Sequence, residues 1–486
     1  MNLARASVKI FLAKVVTSLA SFVATVVFSQ VLGADPLGVY YPFVALLGIL
    51  SLPIDFGLSR AVAKRISEGK ERSQFFGAGI LMRFLLLALF SVPVYLYQDL
   101  IANYIGANVA GILLIALWLE IGSSFSIAIL NGELRVGETA LIRMIQPLTW
   151  LTVGYTLLSV GYGVEAIIYS HILGRIAVFV AATWKISIYP AVPHWEHLRS
   201  LFDFSKFTFV NSIGGIIYSW MDVLIITMFV SLELGVARAE IGAYENAWRV
   251  SLLVTFVSRS ITQVLFPQIS KWHTENKKDK IEQVLSEAFV PALVVVTPAL
   301  VGVVLLSDEI LIYLFGNEFA VAAPALIILV GLRFFEVIDG VYGRVLDAFD
   351  RPDLTMIATI FAVTTNLILN ISLIYALGIT GAAIGTAAAV LVGTVINVYY
   401  MTNFITINIP VNKLIWSVIS SVIMGIALRL TLIEFGVRSL IDLLLSVTLG
   451  AVLYIVVLLV YRPIRESMWE LAEPLVPENI ISKYTN

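Results

Sequence analysis

Apolar residues fall in about fourteen continuous runs that fill nearly the whole chain, with short polar segments between them. The runs span approximately 9–32, 39–59, 75–97, 108–130, 141–160, 164–184, 207–230, 241–267, 285–306, 322–344, 354–376, 379–403, 413–433 and 440–461. A bilayer core takes about 20 apolar residues per helix, and hydrocarbon tolerates only helices or closed barrels, because every backbone group must bond internally. Barrel strands would alternate apolar and polar positions; these runs do not. The pattern predicts an all-α polytopic membrane protein of about 14 transmembrane helices.

Two polar connections are the longest, 185–206 and 268–284. The first, KISIYPAVPHWEHLRSLFDFSK, carries two prolines and then Leu198, Leu201 and Phe202 at helical spacing, the signature of an amphipathic segment lying on a membrane surface. It follows six runs and precedes eight. A short internal repeat supports that division. Gly38-Val39-Tyr40 opens the second run, which closes at Ile66-Ser67, and Gly242-Ala243-Tyr244 opens the eighth, which closes at Ile269-Ser270. Six helices is an even number, so the halves insert in parallel, related by a pseudo-two-fold axis along the membrane normal with a binding site between them. The expected organisation is a six-helix bundle over 1–188, a cytoplasmic amphipathic linker over 189–206, a second six-helix bundle over 207–405, two added helices over 406–463 and a cytoplasmic tail over 464–486.

Charge fixes the orientation. With the N-terminus in the cytoplasm, clusters such as Arg60, Lys64 and Arg65, or Lys277, Lys278 and Lys280, all fall inside, and only Arg238 and Arg438 fall outside. Both termini are therefore expected in the cytoplasm, with the chain spanning the cell (plasma or inner) membrane. Only 13% of residues are charged, against about 25% in soluble domains, which leaves no room for a soluble domain. The basic loops are explained by topology and imply no nucleic acid. The chain has no cysteine, which excludes disulfides and Fe–S clusters. Its four histidines are scattered without metal-ligand spacing, and no Gly-x-x-x-x-Gly-Lys motif is present for ATP hydrolysis. No metal or other cofactor is expected. The first run is too long for a signal-peptide core and lacks a cleavage pattern, so it reads as a retained helix.

Several strings resemble the polysaccharide and oligosaccharyl-lipid flippases of the multidrug/oligosaccharidyl-lipid/polysaccharide exporter superfamily. They are VLGADPLGVY (31–40), DFGLSRAVAKR (55–65), FPQIS (266–270), YLFGNEFAVAAPAL (313–326), and NLILN followed by LGITGAAIGTAAA (within 366–389). The resemblance covers almost the whole chain. It implies two six-helix bundles forming a V around a cavity, two additional helices, and translocation of a polyprenyl-linked sugar from the cytoplasmic to the outer leaflet by alternating access. The strings themselves read as architecture. Gly33 and Gly38 suit a tight turn, and Gly381, Gly385, Ala389 and Gly393 form a small-residue stripe for close helix packing.

The candidate site rests on ionisable residues at bilayer depth, which cost roughly 2.5–3.5 kcal/mol each and therefore face cavities or pair. Lys14, Ser18, Ser21 and Thr25 share one stripe of the first run. Asn211, Gly215, Tyr218 and Asp222 share one on the seventh. The eighth aligns Glu245, Arg249, Phe256, Arg259 and Gln263; the tenth aligns Arg333, Glu336, Gly340, Arg344 and Asp347, with Asp339 at its edge. The sixth places His171 and Arg175 one turn apart. The substrate-binding candidates are Lys14, Arg83, Arg175, Asp222, Arg249, Arg259 and Arg333, and the candidate ion-coupling groups are Asp222, Glu245 and Glu336.

Plainer readings compete. Arg143, Arg83 and Lys14 lie near cytoplasmic ends, where long side chains snorkel. Arg333–Glu336 and Glu245–Arg249 stand at intrahelical pairing distance. Asn366 and Asn370 suit hydrogen bonds between helices. The excess of cations over acids favours an anionic ligand, such as the diphosphate of a lipid-linked oligosaccharide, which arginine binds as a fork and lysine as a point charge. That chemistry breaks no covalent bond, so no enzyme activity is expected. The expected partners are that lipid-linked oligosaccharide, membrane lipids, H+ or Na+ as coupling ion, and glycan-assembly enzymes. The alternative function is an ion-coupled antiporter exporting cationic drugs or other small solutes, although the first run offers it Lys14 and no carboxylate. A membrane glycosyltransferase would need a sizeable acid–base outer loop, and the outer loops here are short.

Overall fold

The computed structural model describes residues 3–255, 268–407 and 410–466. The helices are α1 (Leu3–Leu32), α2 (Ala34–Asp55), α3 (Leu58–Ser67), α4 (Arg72–Leu96), α5 (Gln98–Ile105), α6 (Ala110–Gly132), α7 (Val136–Ser159), α8 (Val164–Lys185), α9 (Trp195–Ser231) and α10 (Arg238–Leu253). They continue as α11 (Lys278–Phe315), α12 (Ala323–Ala348), α13 (Pro352–Met401), α14 (Val411–Phe435) and α15 (Leu440–Leu458). Among the described residues there is no strand. Among the described residues ten helical spans are long and apolar enough to cross a membrane, and a helix occupies the described part of every apolar run. The chain is a multi-pass all-α membrane protein.

Contacts divide it into two compact units, 1–245 and 246–486. This border falls inside α10. In the first unit α2 is the most enclosed membrane helix, with Leu37, Tyr40, Tyr41, Phe43 and Leu47 all buried. A core of Leu58, Val62, Ile66, Phe76, Phe125, Ile129 and Leu201 joins α3, α4, α6 and α9. The connection between α8 and α9 is tied to this unit. Glu133 accepts from the backbone N–H of Ser187 and Ile188 at 3.0 and 3.1 Å, and Ala191 N–H donates to the Ser73 carbonyl at 2.9 Å. Residues 195–206 are the leading turns of the 37-residue α9, with Leu201 buried and Phe202 exposed.

The first string of the repeat does not make a turn at Gly38. Gly33, at φ 80°, makes the break between α1 and α2, whereas Gly38 lies within α2. A Cβ there would sit 2.2 Å from the Arg238 carbonyl oxygen, and one on Gly242 would sit 2.3 Å from the Ala34 carbonyl oxygen. The same offset of 204 residues relates Ala34 to Arg238, Gly38 to Gly242 and Tyr40 to Tyr244. The start of α2 and the start of α10 thus cross through a reciprocal contact, the form a local two-fold generates.

In the second unit the eleventh and twelfth runs form one element, α13, broken at Gly378 (φ 58°, ψ −141°), a conformation that glycine adopts without Cβ strain. The small-residue stripe packs the two halves on each other. A Cβ on Gly381 would meet the Leu373 carbonyl oxygen at 2.0 Å, and one on Gly385 would meet Asn370 Oδ1 at 2.4 Å. Asn366 donates to Thr386 Oγ1 at 2.9 Å across the break, and Asn370 donates to Asn366 at 3.1 Å. The expected interhelical bond is therefore present at Asn366, while the bond from Asn370 to Asn366 runs along one half of the helix.

Candidate functional site

The charges placed at bilayer depth are mostly paired. Arg83 of α4, 3% exposed, pairs with Asp55 at the end of α2 and donates to Ser59 Oγ at 2.6 Å and to the Ile121 carbonyl of α6 at 2.9 Å. Its guanidinium lies over the Phe125 ring, 4.4 Å from the centroid. Arg175 of α8 is 2.7 Å from Glu120 of α6, close in distance though not aligned as a hydrogen bond. Arg143 of α7 is near enough to feel both charges.

Asp222 of α9 is 7% exposed and accepts a hydrogen bond from the Tyr244 hydroxyl at 2.5 Å. Glu245, the next residue on α10, is 5% exposed. Lys14 of α1 is exposed and makes no ion pair among the described residues. Its stripe sinks from exposed Ser18 to buried Thr25, whose hydroxyl bonds back to the Ser21 carbonyl at 3.0 Å.

In the second unit Arg333 of α12 is fully buried. It pairs with Glu336 one turn on, donates through Nη2 to Ser251 Oγ at 2.8 Å, and lies over the Trp248 ring at 4.2 Å. Beyond it the same face opens: Glu336 is partly exposed, and Gly340, Arg344 and Asp347 are exposed. Asp339, at the edge of this face, accepts from Asn397 of α13 at 2.8 Å. Arg249 of α10 is half-buried. Arg259, with Phe256 and Gln263, lies outside the described residues. Among the described residues no cluster of His, Asp and Glu could hold a metal ion.

The structure thus brings together Arg333 with Glu336, and sets each of Arg83, Arg175 and Asp222 against a partner. Sequence reasoning missed Asp55 and Ser59, which lie in the string DFGLSRAVAKR (55–65). It also missed that Tyr40 and Tyr244, the repeat's tyrosines, each reach a buried ionisable group: Tyr244 reaches Asp222, and Tyr40 reaches His171 with a hydroxyl to Nδ1 distance of 3.1 Å. The matched Gly-x-Tyr strings were the available signal.

Among the described residues the helix bundle thus combines buried, paired charges with an open polar face on α12. The chain belongs to the polysaccharide biosynthesis protein family, whose model matches residues 27–324. It is similar to the probable low-salt glycan biosynthesis flippase Agl15 of Haloferax volcanii, 38% identical over 98% of this chain and 100% of that one. It is also similar to the probable flippase AglR of the same organism, 29% identical over 94% of this chain and 96% of the other. Among solved structures, the lipid II flippase MurJ in an inward closed conformation shares the fold at a TM-score of 0.76, with 21% identity over 93% of this chain and 98% of that chain. An inward-facing multidrug resistance transporter of the MATE family has the same fold at 0.66, with 15% identity over 80% of this chain and 94% of its own.

Proposed function

We propose that the protein is a flippase that moves a polyprenyl-(di)phosphate-linked oligosaccharide from the cytoplasmic to the outer leaflet, by alternating access of two bundles divided at 189–206. The observation that carries this reading is the likeness to a named glycan biosynthesis flippase along the full length of both chains. The physical chemistry agrees with it. A phosphorylated glycan crossing hydrocarbon unaided would leave each unpaired polar group unsatisfied, at a cost of several kcal/mol. The exposed face of α12 and the exposed Lys14 offer polar partners at bilayer depth, and the polyprenyl tail never has to leave the lipid. No covalent step is required, so the work is that of a non-catalytic transporter. Lys14, Arg83, Arg175, Asp222, Arg249, Arg259 and Arg333 are the residues proposed to meet the substrate, the cations through its phosphate; Arg83, Arg175 and Arg333 also oppose carboxylates. H+ or Na+ is the proposed coupling ion, with Asp222, Glu245 and Glu336 as acids that could carry it. The proposed location is the cell membrane, with both termini cytoplasmic and glycan-assembly enzymes as neighbours.

The test is reconstitution into liposomes with a fluorescent short-chain polyprenyl diphosphate sugar. Protein-dependent translocation, reduced about tenfold or more by Lys14→Ala or Arg249→Ala as loss of a charge-assisted phosphate contact predicts, supports the reading. Absence of translocation together with extrusion of a cationic dye against a pH or Na+ gradient would replace it with the antiporter.

A further inference from the structure

His171 of α8 is 6% exposed. Its Nδ1 stands 3.1 Å from the Tyr40 hydroxyl of α2, and its Nε2 makes no hydrogen bond among the described residues. Tyr40 in turn stacks on Trp150 of α7 with centroids 5.6 Å apart, and Trp150 donates to the Ile167 carbonyl of α8 at 3.1 Å. The imidazole is thus held rigidly by one nitrogen while the other, a group that either gives or takes a proton, is buried and unsatisfied. An unpaired buried polar atom costs about 1–3 kcal/mol, so the arrangement is poised rather than relaxed.

The groups around it set the sense of the response. Arg175 lies one turn further along α8, Glu120 of α6 is paired to Arg175, Arg143 of α7 stands near both, and Tyr40 faces the ring from α2. Two cations and one anion already share this region. A proton on His171 adds a further buried positive charge one turn from Arg175, which this packing disfavours and which water entering around α2 would relieve.

Tyr40 carries that response to a specific place. It sits half a turn from Gly38, where α2 and α10 cross with no room for a Cβ on either Gly38 or Gly242. The crossing has no slack, so α2 cannot shift there without parting from α10. On the other side of the same contact Tyr244 anchors Asp222, the equivalent tyrosine on the equivalent helix.

We propose that His171 is a proton-binding site, held by Tyr40, whose occupancy decides whether the α2–α10 crossing stays closed. This deepens the transport reading, on which its physiological meaning rests, by naming a proton as the ligand of a group outside the candidate acids. The crossing itself can be followed without any transported substrate.

The chain has no cysteine, so a single introduced thiol gives the only signal. Leu37 is 1% exposed, and its Cβ is 3.2 Å from where a Gly242 Cβ would stand, so Leu37→Cys reports the opening of the crossing. The full chain carrying Leu37→Cys, in liposomes, is labelled with a water-soluble methanethiosulfonate between about pH 8 and about pH 4, from above the ordinary imidazole range to well below it, because a further buried positive charge beside Arg175 is disfavoured. Each rate is divided by that of the same protein carrying His171→Gln, which shares the thiol chemistry. The expected ratio rises about tenfold on acidification, the size of a shift from a minor to a major conformer, and Tyr40→Phe flattens it. A ratio that stays constant, whether both proteins ignore pH or both respond alike, overturns the proposal; a shared response would assign the proton to Asp222 and Tyr244 instead. If His171→Gln yields no folded protein, Tyr40→Phe replaces it as the divisor, and a constant ratio is equally fatal. Failure of substrate translocation with a rising ratio would instead sink the flippase reading and leave this site standing.

Discussion

Among the described residues each compact unit holds one deeply buried arginine, Arg83 in the first and Arg333 in the second, and the two are neutralised by different means. Arg83 draws four partners from three helices: the carboxylate of Asp55 at the end of α2, the hydroxyl of Ser59 on α3, and the Ile121 carbonyl and the Phe125 ring on α6. Arg333 takes its carboxylate from Glu336 on its own helix and needs only α10 for the rest, through Ser251 and Trp248. Both include one acid, one serine hydroxyl and one aromatic face, to which Arg83 adds the Ile121 carbonyl. The connectivity is not. The first arrangement ties helices together, so its loss is a loss of architecture. The second stays neutral on α12 however that helix moves, and its acid is partly exposed at the start of an open polar face. A transporter needs both: a part that does not yield and a charge pair that can travel.

The comparison breaks most visibly at Asp55. Asp55→Ala leaves Arg83 as an uncompensated buried cation, which costs about 3–5 kcal/mol. The expected outcome is a large fall in the melting temperature of the detergent-solubilised protein, or no folded protein in size-exclusion chromatography. Arg83→Met should cost less, because Asp55 is 30% exposed and keeps Ser59, 2.6 Å away. Adding Asp55→Asn to Arg83→Met should cost little more, as expected for one network rather than two independent groups. Equal losses for Asp55→Ala and Arg83→Met would show that the pair does not act as described.

A smaller effect is expected in the other unit. Glu336→Gln keeps a hydrogen-bond acceptor beside Arg333 and removes only charge, at about 1–2 kcal/mol. Its melting temperature should fall less than that of Asp55→Ala, while translocation in the liposome assay should fall more than stability explains if the pair lies on the path. A drop in stability as large as that of Asp55→Ala would erase the distinction between the two arrangements.

The difference between the arginines also marks where the sequence stops being legible. Arg333 and Glu336 are three residues apart, and a helical period alone places them on one face. The long membrane helices were legible for the same reason, since hydrophobic runs report local structure, whereas α5 falls between two runs and α3 was not separated from the second. Asp55 and Arg83 are 28 residues apart, on different helices, and nothing in a run of apolar residues says which helices touch. Tyr40 and His171 are separated by 131 residues and were equally invisible. Gly38 was legible as a glycine with a purpose, but the purpose, a close approach by the Arg238 backbone, requires knowing the neighbour. The internal repeat was the one long-range signal in the sequence, and its 204-residue offset returns in the structure as a reciprocal contact.

The weakest case tests whether pairing by itself, without burial, matters. Arg135 and Glu138 form a two-pronged pair at the start of α7, 2.7 and 2.8 Å long, with Glu138 40% exposed. The hydrogen bonds from Arg135 come first among the causes that hold the Glu138 carboxyl below the usual glutamate range. A depressed carboxylate contributes stability above its unfolded-state titration and loses it as pH falls through the folded one. Glu138→Gln should therefore lower the melting temperature slightly at neutral pH and not at all in acid, with a contribution under about 1 kcal/mol because solvent screens the pair. Titrating both proteins by thermal melting between about pH 7 and about pH 3, which brackets the carboxylate range, gives the answer. Convergence of the two curves in acid would confirm the sign. A large, pH-independent loss would mean that Glu138 acts through packing, and that burial is not what separates this pair from Asp55 and Arg83.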